Sequence, residues 1–273
     1  MKDETLLKKY RFRFEKKYGQ NFIDDPELLE QIVTKSGITK ADAVLEIGAG
    51  AGTLTKRLCD RAKKVVAYEI DEHLKPILAE NLSGCDNLEL RFRDFMRDDP
   101  SDWAENGLKV VANLPYYITT PILFRLLEEP CVQDVTVMVQ KEVAERICAK
   151  EGNKDYGPLT IAVQSQADTE IVAEVKREMF TPPPNVDSAV VRISRNPQKF
   201  GTFDVARLRN TVKCAFAMRR KTLANNLTSA GFSKEEAERL CVENGWRKDV
   251  RAENLTVEEF IRLSESVEFP HKK

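Results

Sequence analysis

Short β-rich runs alternate with segments of helical spacing between residues 42 and 140, and this alternation restricts the fold more than any other feature. The runs are AVLEIG, KVVAYEI, NLELRF, KVVANL and DVTVMVQ. Strands separated by helices are typical of a parallel, doubly wound α/β sheet. Two later β-rich runs, TEIVAEVKR and SAVVRIS, extend the prediction to a seven-stranded, mostly parallel sheet.

The segment RNPQKFGTF, from residue 195 to residue 203, is polar and contains proline and glycine, which is typical of a linker. After it the β-rich runs stop and four segments of helical spacing follow. Ser233 and Thr256, each followed three residues later by glutamate, predict capping boxes for the last two helices. We therefore expect a catalytic domain over 1–195 and a small all-helical domain over 196–273.

Composition excludes several classes of protein. No run approaches the ~18 to 20 apolar residues that a membrane span needs, and the N-terminus lacks the apolar core of a signal peptide, so we expect a cytoplasmic protein without membrane contact. Six scattered cysteines without a CxxC pair and two histidines argue against a metal site or a disulfide framework.

Basic residues are unevenly distributed, although the formal net charge is only -1. Lysines and arginines crowd the first 17 residues, and RLRNTVKCAFAMRRK, from residue 207 to residue 221, contains no acid. Such patches on a neutral protein favour local contact with a polyanion, and solvated helix faces are the alternative.

The first predicted strand ends in a glycine-rich turn, VLEIGAGAGTLT, with glycine at positions 48, 50 and 52. Glycine lets a backbone turn tightly and lie against a ligand. The spacing is G-x-G-x-G, and Thr53 stands where a dinucleotide-binding G-x-G-x-x-G would have its third glycine. The missing pyrophosphate spacing favours S-adenosylmethionine over NAD, and therefore a methyltransferase.

Acidic residues follow the next two predicted strands. Glu69, at the end of the second strand, lies where a carboxylate accepts both hydroxyls of a ribose. Asp94, after the third strand, is predicted to accept from an adenine amino group, with Phe95 against the ring. Ordinary strand-end or helix-capping roles are the alternative for both acids.

The fourth strand ends in Asn-Leu-Pro-Tyr, with no side chain suited to act as nucleophile or base. A methyl donor makes this absence informative, because the acceptor itself supplies the nucleophile. The Asn113 amide oxygen and the Leu114 carbonyl are suited to bind the N–H groups of an aromatic amine and to stabilise the charge developing on its nitrogen. Pro115 fixes the turn, and Tyr116 offers a ring for base stacking.

A second aromatic wall is predicted from the later loop MFTPPPNVDSAV, in which three prolines follow Phe180. A base held between Tyr116 and Phe180 would have left its helix or loop, as enzymes acting on nucleobases require. For Tyr117 we expect a packing role.

Motifs along nearly the whole chain resemble the small-subunit ribosomal RNA adenine dimethyltransferases (the KsgA/RsmA/Dim family). They are KKYGQNFIDD, LEIGAGAGTLT, EID, NLPYYITTPILF, VQKEVAERI, DYGPL, FTPPPNVDSAVVR and FAMRRKTLANNL. The resemblance implies a Rossmann-like core and a helical C-terminal domain. It also implies S-adenosylmethionine-dependent transfer of two methyls to N6 of each of two adjacent adenines in the 3'-terminal hairpin of small-subunit rRNA, in an immature particle.

The resemblance also implies roles for individual residues. By the resemblance, the cofactor is lined by Asn21, Ile23, Gly48, Glu69, Asp94 and Asn113, and the target base lies near Asn113, Tyr116 and Phe180. The reasoning from the strand ends given above adds Gly50 and Phe95 to the cofactor site and Leu114 and Pro115 to the base site. Arg219, Arg220 and Lys221 match a basic stretch expected to contact RNA. We expect a monomer without metal. The alternatives are a large-subunit rRNA dimethylase of the macrolide-resistance type and a non-catalytic assembly or transcription factor derived from the family.

Overall fold

The computed structural model describes residues 2–23, 25–99 and 107–267, with side chains from residue 5 onward except that of Lys16. The described residues form two compact units, the first of residues 1–144 and 169–195 and the second of residues 145–168 and 196–273. None of the described helices is both long and apolar enough to span a membrane.

The predicted strands and helices occur in the predicted order, and two short strands and an N-terminal helix occur in addition. The strands are β1 (Phe22–Ile23), β2 (Ala43–Ile47), β3 (Lys64–Glu69), β4 (Leu88–Phe92), β5 (Leu108–Asn113), β6 (Val132–Gln140), β7 (Ala167–Val175), β8 (Phe180–Thr181) and β9 (Ser188–Arg195). The helices are α1 (Lys2–Lys9), α2 (Pro26–Lys35), α3 (Thr53–Arg61), α4 (Lys75–Asn81), α5 (Thr119–Glu128), α6 (Lys141–Ile147), α7 (Pro158–Gln164), α8 (Val205–Ala215), α9 (Leu223–Ser229), α10 (Lys234–Glu243) and α11 (Val257–Ser266).

Seven strands form one sheet in the order β4-β3-β2-β5-β6-β9-β7. The pairs β3–β4, β2–β3, β2–β5 and β5–β6 are parallel, and β6–β9 is antiparallel. The predicted α/β fold with a seven-stranded, mostly parallel sheet is therefore confirmed. Because β3, β2 and β5 are parallel neighbours, the loops that follow them meet at one edge of the sheet, where open α/β sheets bind ligands.

Helix termini around this edge are specified by short-range chemistry. Asp25 caps α2 by accepting from the Leu28 N–H at 2.8 Å, and Pro26 occupies the first helical position, where a missing N–H costs nothing. The residue before α3 is Gly52, with φ of +87°. A Cβ there would lie 3.0 Å from a methyl group of Leu78. Glycine therefore lets α3 begin directly against α4.

A second, two-stranded sheet pairs β1 with β8 in antiparallel orientation. Phe22 pairs with Thr181, and Ile23 pairs with Phe180. The sequence gives no sign of this sheet, because each strand has only two residues and the partners are far apart in the chain. The pairing attaches the segment before α2 to the loop that carries Phe180.

The second unit has its own apolar core, which combines α8 to α11 with residues of the 145–168 segment such as Tyr156 and Ile161. Ser233 and Thr256 form the two predicted capping boxes with Glu236 and Glu259. The change of unit at residues 195 and 196 coincides with the linker-like sequence, whereas residues 145–168, within the first predicted domain, cluster with the helical unit.

Candidate active site

A cleft with an empty volume of about 1030 Å³ lies within the first unit, at the edge where the parallel strands end. Its walls come from five places in the sequence: residues 18–23, the glycine turn after β2, the end of β3, the end of β4, and the turn after β5. The cleft is lined by eleven of the predicted site residues: Asn21, Ile23, Gly48, Gly50, Glu69, Asp94, Phe95, Asn113, Leu114, Pro115 and Tyr116.

The glycine turn brings backbone close to other walls of the cleft. Gly48 and Gly50 have φ of +82° and +58°, in the left-handed region that favours glycine. A Cβ on Gly50 would lie 3.2 Å from the Phe22 ring, and one on Gly48 would lie 3.7 Å from the Asn113 carbonyl oxygen. The conformation therefore favours glycine at both positions, and at Gly50 the available space is tight as well.

Glu69 is held by the backbone around it. Its Oε2 accepts from the Gly50 N–H, and its Oε1 accepts from the N–H groups of Ile70 and Asp71, each at 2.8 Å. Burial raises the pKa of this carboxyl group, and the three backbone donors oppose that rise. Because a carboxylate has about four acceptor positions, this arrangement leaves about one for a ligand, rather than the two expected for both ribose hydroxyls.

A second acid, Glu46, lines the cleft and was missed by the sequence reasoning. It is 1% exposed, and its Oε2 makes no hydrogen bond within the described chain. Burial raises its pKa to about 8, and the nearby charge of Glu69 contributes to the rise. An acid in a buried strand directly before the glycine turn is the sequence signal that could have identified it.

Asp94 lines the cleft and also caps a helical turn. Its Oδ1 accepts from the Met96 N–H at 2.9 Å, and its Oδ2 lies 3.4 Å from the Arg97 guanidinium. Phe95 is 4% exposed and packs edge-on against Tyr68, with ring centroids 5.5 Å apart. Capping of the helical turn therefore occupies one of the two Asp94 oxygens. The contact of Asp94 with an adenine amino group stays a prediction.

The Asn113 side chain has a single hydrogen bond in the described chain, from its Nδ2 to the Asn21 carbonyl oxygen at 3.1 Å. With the amide nitrogen engaged, Oδ1 remains as an acceptor on the cleft wall. The neighbouring Leu114 N–H donates to the Met138 carbonyl at 3.1 Å, and Pro115 has φ of -59°. The turn is thus fixed on both sides of the proposed acceptor groups.

Tyr116 and Tyr117 differ in their surroundings. The Tyr116 hydroxyl is 2.5 Å from the hydroxyl of Ser188, which is fully buried. Tyr117 is 59% exposed at the mouth of the cleft, and its ring lies against Gly19, where a Cβ would be 3.3 Å away. The packing role expected for Tyr117 is therefore wrong, because so exposed a ring buries little apolar surface.

Phe180 is 3% exposed and belongs to the apolar core of the first unit. It pairs with Ile23 in the two-stranded sheet and does not line the cleft formed by the described residues. Stacking of a base between Tyr116 and Phe180 needs an accessible Phe180 ring, so that pairing stays a prediction.

Comparisons with known proteins agree with these features. A model of the family described as ribosomal RNA adenine dimethylase matches residues 11–268. The chain belongs to the ribosomal RNA adenine dimethylase family. It is 45% identical over 269 residues to Ribosomal RNA small subunit methyltransferase A of Clostridioides difficile (96% of this chain, 93% of that one), and 44% identical over 281 residues to the protein of that name from Bacillus cytotoxicus (98% and 96%).

Two solved structures resemble this dimethylase-family chain over most of its length. A dimethyladenosine transferase from Plasmodium falciparum has a TM-score of 0.75 at 28% identity, covering 89% of this chain and 95% of the other. The 23S rRNA methyltransferase ErmE has a TM-score of 0.72 at 29% identity, covering 90% and 98%. The fold is therefore shared with a dimethyladenosine transferase and with a 23S rRNA methyltransferase.

Basic residues of this family member converge within the second unit. Arg219 and Arg220 line a shallow depression together with Lys154 and Arg251, and with two acids, Asp155 and Glu253. Lys221 is exposed next to them in sequence. Sequence reasoning missed Lys154 and Arg251, because nothing in the chain order brings residues 154, 219 and 251 together.

The N-terminal basic patch is partly neutralised. Lys9 lies 2.6 Å from Glu80 and Lys17 lies 2.8 Å from Glu15. The side chains of Lys2 and Lys16 lie outside the described residues. In the described ranges, no group of three or more His, Cys, Asp or Glu side chains is arranged to hold a metal ion.

Proposed function

We propose that this chain transfers methyl groups from S-adenosylmethionine to N6 of two adjacent adenines in the 3'-terminal hairpin of small-subunit rRNA. The observation that carries the proposal is the Asn113 amide, whose nitrogen is bound by Asn21 while its oxygen remains an acceptor on the cleft wall. The relatives from Clostridioides difficile and Bacillus cytotoxicus are named as small-subunit methyltransferases, which supports this target over the large subunit.

The cleft residues fit S-adenosylmethionine. The left-handed glycines leave room for a ligand close to the backbone, and Glu69 retains an acceptor position for a ribose hydroxyl. The Glu46 oxygen that has no hydrogen-bond partner within the described chain is suited to a cationic donor, whose charge would favour ionisation of this carboxyl group against the effect of burial. When bound, S-adenosylmethionine supplies an electrophilic methyl group.

The chain's own residues then position the amine. Asn113 Oδ1 and the Leu114 carbonyl accept the N–H groups of the target adenine and turn its lone pair toward the methyl group. As the nitrogen becomes positive, these fixed oxygens stabilise the charge, which is the usual role of preorganised dipoles in catalysis. The nucleophile belongs to the substrate, so no covalent enzyme intermediate and no obligatory general base are needed.

The second unit is proposed to bind rRNA, and its depression supports this assignment. Four cations, Lys154, Arg219, Arg220 and Arg251, line it with only two acids. A local cationic surface suits phosphate contacts, which dominate nucleic-acid affinity. We further propose, as the biological setting, a monomer in the cytoplasm acting on an immature small subunit.

The test is methyl incorporation into immature small subunits from cells lacking the modification, with large-subunit rRNA as the competing substrate. We expect dimethylated adenines in the 3'-terminal hairpin, detected as stops in primer extension. Modification of large-subunit rRNA alone would favour the macrolide-resistance type. Cofactor binding by calorimetry without transfer to either substrate would favour a non-catalytic factor.

A further inference from the structure

Residues 18–23, here called the strap, all line the cleft. The Gln20 side chain fixes the strap through two hydrogen bonds. Its Oε1 accepts from the Glu15 N–H at 2.7 Å, and its Nε2 donates to Asp71 Oδ2 at 2.6 Å. Both ends of this side-chain amide are thus engaged, which fixes its orientation.

Asp71 is a rigid anchor for the strap. Its side chain is buried, with 1% relative exposure for the residue, and its Oδ1 accepts from the His73 N–H at 3.0 Å. Its own N–H donates to Glu69. The Gln20–Asp71 hydrogen bond therefore attaches the strap to the loop that also fixes the cleft carboxylate.

The next residue of the strap reaches the other side of the cleft. The Asn21 carbonyl accepts the Asn113 Nδ2–H, and Phe22 lies over Gly50. Gln20 and Asn21 thus connect the end of β3 with the end of β5 across the glycine turn. The β1–β8 pairing fixes Phe22 and Ile23 after Asn21, whereas Gln20 fixes the chain before it. Release of Gln20 would therefore loosen the Asn21 carbonyl and weaken the contact that orients the Asn113 amide.

We propose that Gln20 is a positioning residue for methyl transfer, acting through Asn21 on the Asn113 amide. The inference rests on the proposed function, since it assigns to Gln20 the orientation of the group that binds the target amine. Gln20 itself is engaged by Glu15 and Asp71, so its action is indirect.

Exchanging the amide and the carboxylate between positions 20 and 71 tests the Gln20–Asp71 hydrogen bond. Gln20→Glu alone sets two carboxylates against each other, and Asp71→Asn alone sets two amide N–H groups against each other. In the double variant, the new carboxylate at 20 accepts from both the Glu15 N–H and the new amide at 71, which restores the hydrogen bond with donor and acceptor reversed.

We expect kcat for methyl transfer to fall on the order of tenfold in each single variant, with KM for the small subunit within about threefold of the unchanged chain. The double variant should recover to within about threefold. Undiminished transfer in Gln20→Glu, or a folded double variant that stays as slow as the singles, would overturn the proposal. If Gln20→Glu does not fold, Gln20→Ala is measured in its place. Undiminished methyl transfer in Gln20→Ala would also overturn the proposal.

Amide hydrogen exchange separates this inference from the proposed function. Strap peptides should exchange faster in the single variants and return to normal in the double variant. If the unchanged chain methylates no rRNA although exchange follows this pattern, the proposed function fails. If the unchanged chain is active and exchange of the strap is the same in all four proteins, the positioning role fails.

Discussion

Glu69 at the end of β3 and Asn113 at the end of β5 line the same cleft but differ in how far the chain satisfies them. Glu69 accepts from three backbone N–H groups, whereas the Asn113 side chain makes one hydrogen bond among the residues that the structure describes. A group with many internal partners is held rigidly and has little capacity for a ligand. The Asn113 oxygen remains able to accept a hydrogen bond from the substrate. Substitutions of Glu69 and of Asn113 should therefore have different effects.

The largest effect is expected at Asn113. Asn113→Ala removes the oxygen that binds the amine, and loss of one such preorganised group costs about 10²–10³ in kcat. Methyl transfer to immature small subunits is the measurement, with Asn225→Ala, an exposed asparagine of α9, as the control. Equal rates for the Asn113 variant and the control would remove Asn113 from the mechanism.

A smaller effect is expected at Glu69, and on binding rather than on rate. Glu69→Gln sets an NH₂ group against one of the backbone donors, and we expect affinity for S-adenosylhomocysteine to fall on the order of tenfold by calorimetry. At saturating donor, kcat should change little. Glu72→Gln, in the same loop with a side chain 69% exposed, is the matched control. If Glu69→Gln lowered kcat and left the affinity for S-adenosylhomocysteine unchanged, the expected difference between Glu69 and Asn113 would be wrong.

The smallest effect is expected at Tyr116. Tyr116→Phe keeps the ring for stacking and loses only the hydrogen bond to Ser188, so kcat should stay within about threefold. The free energy of unfolding should fall by about 1 kcal/mol, because the buried Ser188 hydroxyl loses its partner. A large loss of transfer with unchanged stability would instead assign the Tyr116 hydroxyl to the chemistry.

Local patterns predicted the large elements and most of the cleft. The strand runs and the two capping boxes depend on neighbours in the sequence, and they were predicted correctly. Gly48, Glu69 and Asn113 could be grouped because the ends of parallel strands meet at one edge of a sheet.

Contacts between distant segments could not be predicted in this way. Gln20 meets Asp71 and Ile23 pairs with Phe180 only in the folded chain, and neither short segment carries a periodic signal. The burial of the aromatic residues also depends on the folded chain and could not be predicted. Phe180 lies in the core and Tyr117 is exposed, although each stands within two residues of a proline in the sequence.

The two-stranded sheet has a consequence for how the protein is made. The β1 strand lies near the N-terminus, but its partner β8 is synthesised only after all the strands that end at the cleft. During translation, the nascent chain therefore carries the glycine turn and the Asn-Leu-Pro-Tyr turn before the strap has its second strand to pair with. Completion of the cleft wall is thus a late event, dependent on residues that themselves line no part of the cleft.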